Sequence, residues 1–88
     1  KRISTSQLND VIGEAVMLNQ PPSDKGKRLK IYYGAQTGVK PPKITLYINN
    51  KELTHFSYQR YLENKIRENF GFEGTSMQFE YKEKDRKR

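Results

Sequence analysis

Two stretches of this chain repeat apolar residues at helical spacing and three others alternate them residue by residue, in the order helix, strand, strand, helix, strand. Leu8, Val11, Ile12, Ala15 and Val16 form one stripe of an amphipathic helix. Tyr58, Leu62, Ile66 and Phe70 step by four along a second helix, with Tyr61 beside them. Leu29, Ile31 and Tyr33 alternate with Lys30 and Tyr32. Ile44, Leu46 and Ile48 alternate with Thr45 and Tyr47, and Met77, Phe79 and Tyr81 with Gln78, Glu80 and Lys82. Period two with β-branched and aromatic residues favours strands. Every element thus has one apolar side. The economical solution is an α+β two-layer domain of order α-β-β-α-β, with both helices packed on one face of a three-stranded sheet and the other face open. The pattern leaves strand order undetermined.

Punctuation residues mark the element ends. Ser4 and Gln7 have capping-box spacing, and Ile3 and Leu8 that of a hydrophobic staple. Pro21-Pro22 stop the first helix, because a residue before proline is driven out of the α region. Residues 23–27 read as a loop, Gly34 to Pro42 as a long connection, and Asn49-Asn50 as a turn. The second helix is expected from Phe56 or Ser57 to Phe70, with Glu63 and Arg67 spaced as a helical ion pair and Gly71 as left-handed cap. Residues 1–82 are expected to form one domain and 83–88 a basic tail.

Composition removes whole classes of function. Apolar residues make up 33% of the 88, against roughly 45–50% in an average globular chain, so the core is small and the surface polar. There is no cysteine and one histidine, hence no disulfide framework, thiolate nucleophile or His-rich metal cluster. No apolar run approaches the roughly 20 residues that cross a bilayer, and nothing reads as a signal peptide. The expectation is a cytoplasmic protein, without a membrane partner and monomeric. The opening Lys1 is what a piece of a longer protein would show. The formal charge of +7 is uneven: Lys25, Lys27, Arg28, Lys30, Lys40 and Lys43 follow one another with no acid between them. Local uncompensated charge of this kind attracts a phosphate backbone.

The search for chemistry is mostly negative. His55 has no readable nucleophile or acid at catalytic spacing and fits a helix start. Gly26-Lys27-Arg28 lacks the first glycine and the hydroxyl of a phosphate-binding loop. Asn64-Lys65-Ile66-Arg67 is like the guanine-reading Asn-Lys-x-Asp of GTPases, but Arg67 replaces the carboxylate. The reading is not an enzyme. Gly71-Phe72-Glu73-Gly74 matches the phosphate-clamping GxxG of KH domains; here it follows a helix and precedes a strand, where a cap and tight turn suffice. The open sheet face, expected to carry Lys30, Tyr32, Thr45, Tyr47, Gln78, Glu80 and Lys82, has three readings. Its tyrosines stack bases, or stabilise the sheet by cross-strand pairing, or lie against another domain.

Several separated blocks carry a resemblance: Arg28-Leu29-Lys30-Ile31-Tyr32-Tyr33, Gln36, Lys40-Pro41-Pro42, His55-Phe56-Ser57-Tyr58 with Arg60-Tyr61-Leu62-Glu63-Asn64, and Phe70-Gly71-Phe72-Glu73-Gly74-Thr75. Together with Ile3-Ser4-Thr5-Ser6 and Leu8-Asn9 they resemble the C-terminal KH-like domain of the Der (EngA) family, bacterial GTPases with two tandem G domains. The resemblance reaches to about Tyr81. It departs at Asn50-Lys51, where the family often has Asp-Pro, at Gly34-Ala35, where it has Ala-Thr, and at Ser76, where it has proline. It implies a non-catalytic module that docks on the G domains of its own polypeptide and takes part in biogenesis of the 50S large ribosomal subunit, binding the subunit and its rRNA. GTP and Mg would belong to the G domains and no cofactor to this chain. Candidates for RNA contact are Lys25, Lys27, Arg28, Lys30, Lys40, Lys43, Lys82 and Arg86; Tyr32 and Tyr47 are candidates for a docking or stacking face. The alternatives are an interdomain regulatory surface without RNA contact and a free-standing basic RNA-binding domain.

Overall fold

A computed structural model describes residues 2–72 and 76–84. Helix α1 spans Thr5–Leu18 and α2 spans Phe56–Phe70. The Ser4 hydroxyl accepts from the Gln7 amide at 3.3 Å, satisfying one of the amides that a helix start leaves free. Helix α2 ends on Gly71 at φ 74°, where a side chain would be strained, and the Gly71 and Phe72 amides both return to the Arg67 carbonyl.

Residues 23–27, expected as a loop, instead form a small hairpin together with Arg28. Strand β1 (Ser23–Asp24) pairs antiparallel with β2 (Lys27–Arg28) around Lys25 and Gly26, whose φ values of 53° and 78° fit the turn that matches strand twist. The main sheet contains β3 (Ile31–Val39), β4 (Pro42–Ile48) and β5 (Gln78–Glu83) in the order β3-β4-β5. Central β4 is antiparallel to β3 and parallel to β5. A single turn of 3₁₀ helix, Lys51–Leu53, leads into α2.

The strand β3 corrects the reading of Gly34 to Pro42 as a connection. It runs on to Val39, and only Lys40-Pro41 lie between it and β4. At position 34 the layers approach closely: a Cβ there would come within 2.8 Å of Ile12 Cδ1 and 2.9 Å of Leu46 Cδ2, so a larger residue requires those two side chains to shift. The Asn9 side chain accepts from the Gly34 amide at 2.7 Å and donates to its carbonyl at 2.9 Å, so α1 supplies the partners this sheet edge otherwise lacks. Similarly, the Gln36 carboxamide accepts from the Ile3 amide at 2.6 Å.

Both helices cover one face of the sheet. Leu8, Ile44, Leu46, Ile48, Leu62 and Ile66 are fully buried between the layers, each contributing roughly 1.5–3 kcal/mol. Tyrosine hydroxyls tie the helices together: Tyr58 donates to the Asn19 carbonyl at 2.7 Å, and Tyr61 donates at 2.6 Å to the Ala15 carbonyl, which also accepts from the Asn19 amide. Glu63 and Arg67 reach β5 rather than each other. Glu63 accepts from the Tyr81 hydroxyl at 2.9 Å, and the Arg67 guanidinium lies 5.2 Å from the Phe79 ring centroid.

Candidate nucleic-acid interface

A bulge decides which tyrosine reaches the open face. Ile31 opposes Ile48 and Tyr33 opposes Tyr47, so Tyr32 is an extra residue on β3. One inserted residue reverses the alternation beyond it. Tyr33, not Tyr32, therefore stands beside Tyr47, their rings stacked with centroids 4.6 Å apart and planes 24° from parallel. Tyr32 lines a groove of about 600 Å³ on the helix side, with Ile12, Val16, Pro21, Ile31 and Lys30. Tyr32 thus moves off the face on which alternation places it.

The remainder of the open face is polar. The Thr37 and Thr45 hydroxyls are 2.8 Å apart and hydrogen-bonded, with Thr45 buried. Lys43 Nζ meets Glu80 Oε1 at 2.9 Å, and that hydrogen bond and charge hold the Glu80 carboxyl below the usual range. Lys82 is registered opposite Tyr47, and Lys84 places its ammonium 5.7 Å from the Tyr33 ring centroid.

The acid-free stretch is split between the two ends of the sheet. Strand β3 is nine residues long, about 25–30 Å, and separates Lys30 from Lys40. Lys40 lies in the β3–β4 turn, and Lys43 is engaged by Glu80. Lys25, Lys27, Arg28 and Lys30 gather at the other end. There the Asn49 side chain accepts from the Lys30 amide and donates to the Arg28 carbonyl, anchoring the hairpin beside the end of β4. Because β5 runs parallel to β4, Lys82 and Lys84 emerge at this same end. Lys51 joins them, its amide bonded to Glu83 Oε2 at 2.8 Å. The chain thus has a basic end built from segments far apart in sequence. Tyr33, Lys51 and Lys84 belong to it and escape sequence reading, since only the bulge and the parallel pairing bring them in.

Other candidates resolve simply. His55 occupies the N-cap position of α2 without a side-chain cap bond, and its Nε2 lies 4.0 Å from an Asp24 carboxylate oxygen. Arg86 and part of the Gly71–Gly74 motif lie outside the described residues. Among the described residues no group of acids and histidine is placed to hold a metal, and no helix is long and apolar enough to cross a membrane.

Two helices behind a mixed three-stranded sheet, in the order α-β-β-α-β, define a KH-like module. Comparison with known proteins agrees. Residues 2–82 match the family described as KH-domain-like of EngA bacterial GTPase enzymes, C-terminal, and the chain belongs to that family. It is 68% identical over 83 residues to GTPase Der of Alkaliphilus metalliredigens and 69% identical over 83 residues to GTPase Der of Alkaliphilus oremlandii. In both cases 94% of the chain and 19% of the relative are covered. It is 59% identical over 85 residues to GTPase Der of Ruminiclostridium cellulolyticum, covering 97% of the chain and 19% of that protein. The chain therefore spans about a fifth of the length of these curated relatives, and corresponds to their non-catalytic KH-like part.

Proposed function

We propose that this chain is the module through which a Der-type GTPase couples its two G domains to the large ribosomal subunit. It docks on the G domains of the same polypeptide and contributes positive charge to rRNA binding during subunit assembly. GTP and Mg are the business of the G domains. The observation that carries the RNA part is the convergence of Lys25, Lys27, Arg28, Lys30, Lys82 and Lys84 at one end of the sheet. Charge concentrated this way releases counterions from a phosphate backbone, which makes affinity depend steeply on salt. Docking draws support from the groove beside Tyr32, whose mixed apolar and basic lining suits an interdomain contact.

Titration of the chain onto large-subunit RNA at several salt concentrations tests this. If five phosphates of single-stranded RNA are neutralised, log K falls against log[salt] with a slope of about 3.5. Reversing Lys27 and Arg28 to glutamate lowers that slope, whereas reversing Lys40, at the far end, leaves it. A flat salt response, or no binding at low salt, overturns the RNA part.

A further inference from the structure

We infer that the stacked Tyr33–Tyr47 pair is a platform for unpaired bases of single-stranded RNA, with Lys82 and Lys84 meeting the flanking phosphates; this rests on the RNA reading above and narrows it to one face. The rings are held together on neighbouring strands, with Tyr33 39% exposed, so an aromatic surface is already assembled before any ligand arrives. Base stacking on such a surface tolerates any sequence, because every base has a π face. The charges fit. Glu80 is the carboxylate on this face among the described residues, and Lys43 engages it 2.9 Å away, while Lys82 and Lys84 lie beside and over the rings. The bound-state exchange is also simple: a base replaces the Lys84 ammonium over Tyr33 and the ammonium turns to a phosphate.

The same features argue against a protein occupant. Protein interfaces concentrate apolar groups at the centre and deplete charge there. Here the rings are bordered by a closed Thr37–Thr45 hydrogen bond and by lysines, a floor suited to bases edged with phosphate. The position also differs from the glycine clamp of a KH domain, since it depends on β3, β4 and β5 and not on Gly71.

The test compares the chain's affinity for a short oligoadenylate RNA with that for an abasic oligomer of equal length and charge, at low salt. The base-bearing strand is expected to bind about ten-fold more tightly, the worth of one stacked base. Tyr33→Leu, which keeps apolar bulk but no π face, abolishes that difference; Tyr33→Phe retains it, and Lys84→Gln weakens both ligands. Equal binding of the two oligomers by the unaltered chain, or a full difference in Tyr33→Leu, overturns the platform and leaves the charge-based RNA reading standing. Absence of binding to either oligomer overturns both. A Tyr33→Leu variant that keeps its base preference but no longer associates with the G domains assigns the face to interdomain docking and overturns the platform as well.

Discussion

The two faces of the sheet are built on opposite principles. The covered face is apolar and closed: Ile44, Leu46 and Ile48 are fully buried under α1 and α2, and the polar groups there, Tyr58, Tyr61 and Tyr81, all spend their hydroxyls on internal partners. The open face holds a tyrosine stack, a threonine pair and an ion pair, arranged across strands that the covered face already holds in place. Stability therefore resides on one side, and the side chains proposed to meet RNA bases on the other. A module of this size has few apolar residues to spare, so concentrating them behind the sheet is what leaves the front free for recognition.

The sharpest way to break this contrast is to cut into the covered face. Leu46→Ala is expected to cost about 2–5 kcal/mol in urea denaturation, because the space left between the layers cannot collapse fully. Asn9→Ala comes next, at about 1–3 kcal/mol, since the amide and carbonyl of buried Gly34 lose their partner together. Tyr58→Phe costs about 1 kcal/mol near neutrality and has a pH signature. Burial, with Tyr61 nearby, pushes the Tyr58 hydroxyl up from the ordinary 10 to about 12. Its contribution is fully present below pH 10 and is lost as pH rises toward 12, so the variant loses less stability over that range than the unaltered chain. Tyr81, raised in the same direction by burial and by Glu63, keeps some alkaline loss in both.

The smallest effect belongs to the open face. Glu80, lowered by Lys43, contributes above the ordinary glutamate range and loses that contribution as pH falls through its depressed value. Glu80→Gln should leave neutral stability nearly unchanged and make acid unfolding less steep. A large neutral loss in this variant would show that the open face carries stability after all.

The legible parts of the molecule are those governed by local rules. Helix α1 begins at its Ser4 cap, α2 ends at Gly71, and the apolar stripes named from spacing supply most of the core. What local rules miss is set by neighbours. Gly34, Ala35, Gln36, Thr37 and Gly38 do not look like strand, but β4 pairs with all of them except Thr37, and α1 packs closely against position 34. The bulge at Tyr32 is equally invisible, and it exchanges Tyr32 for Tyr33 on the open face. The charge cluster is the reverse case: Lys40 and Lys43 are near Lys30 in sequence yet lie toward the other end of β3, while Lys82 and Lys84 arrive from the far end of the chain. Sequence proximity misleads wherever a long hairpin carries one half of a cluster away.

The most direct test of this division is an amide and side-chain chemical-shift map of the chain titrated with single-stranded RNA. The account predicts perturbations at Tyr33, Tyr47, Lys82 and Lys84, extending to Lys27 and Arg28, with Leu8, Ile12, Leu62 and Ile66 on the covered side unmoved. Perturbations centred on α1 and α2 with the tyrosine stack silent would contradict it.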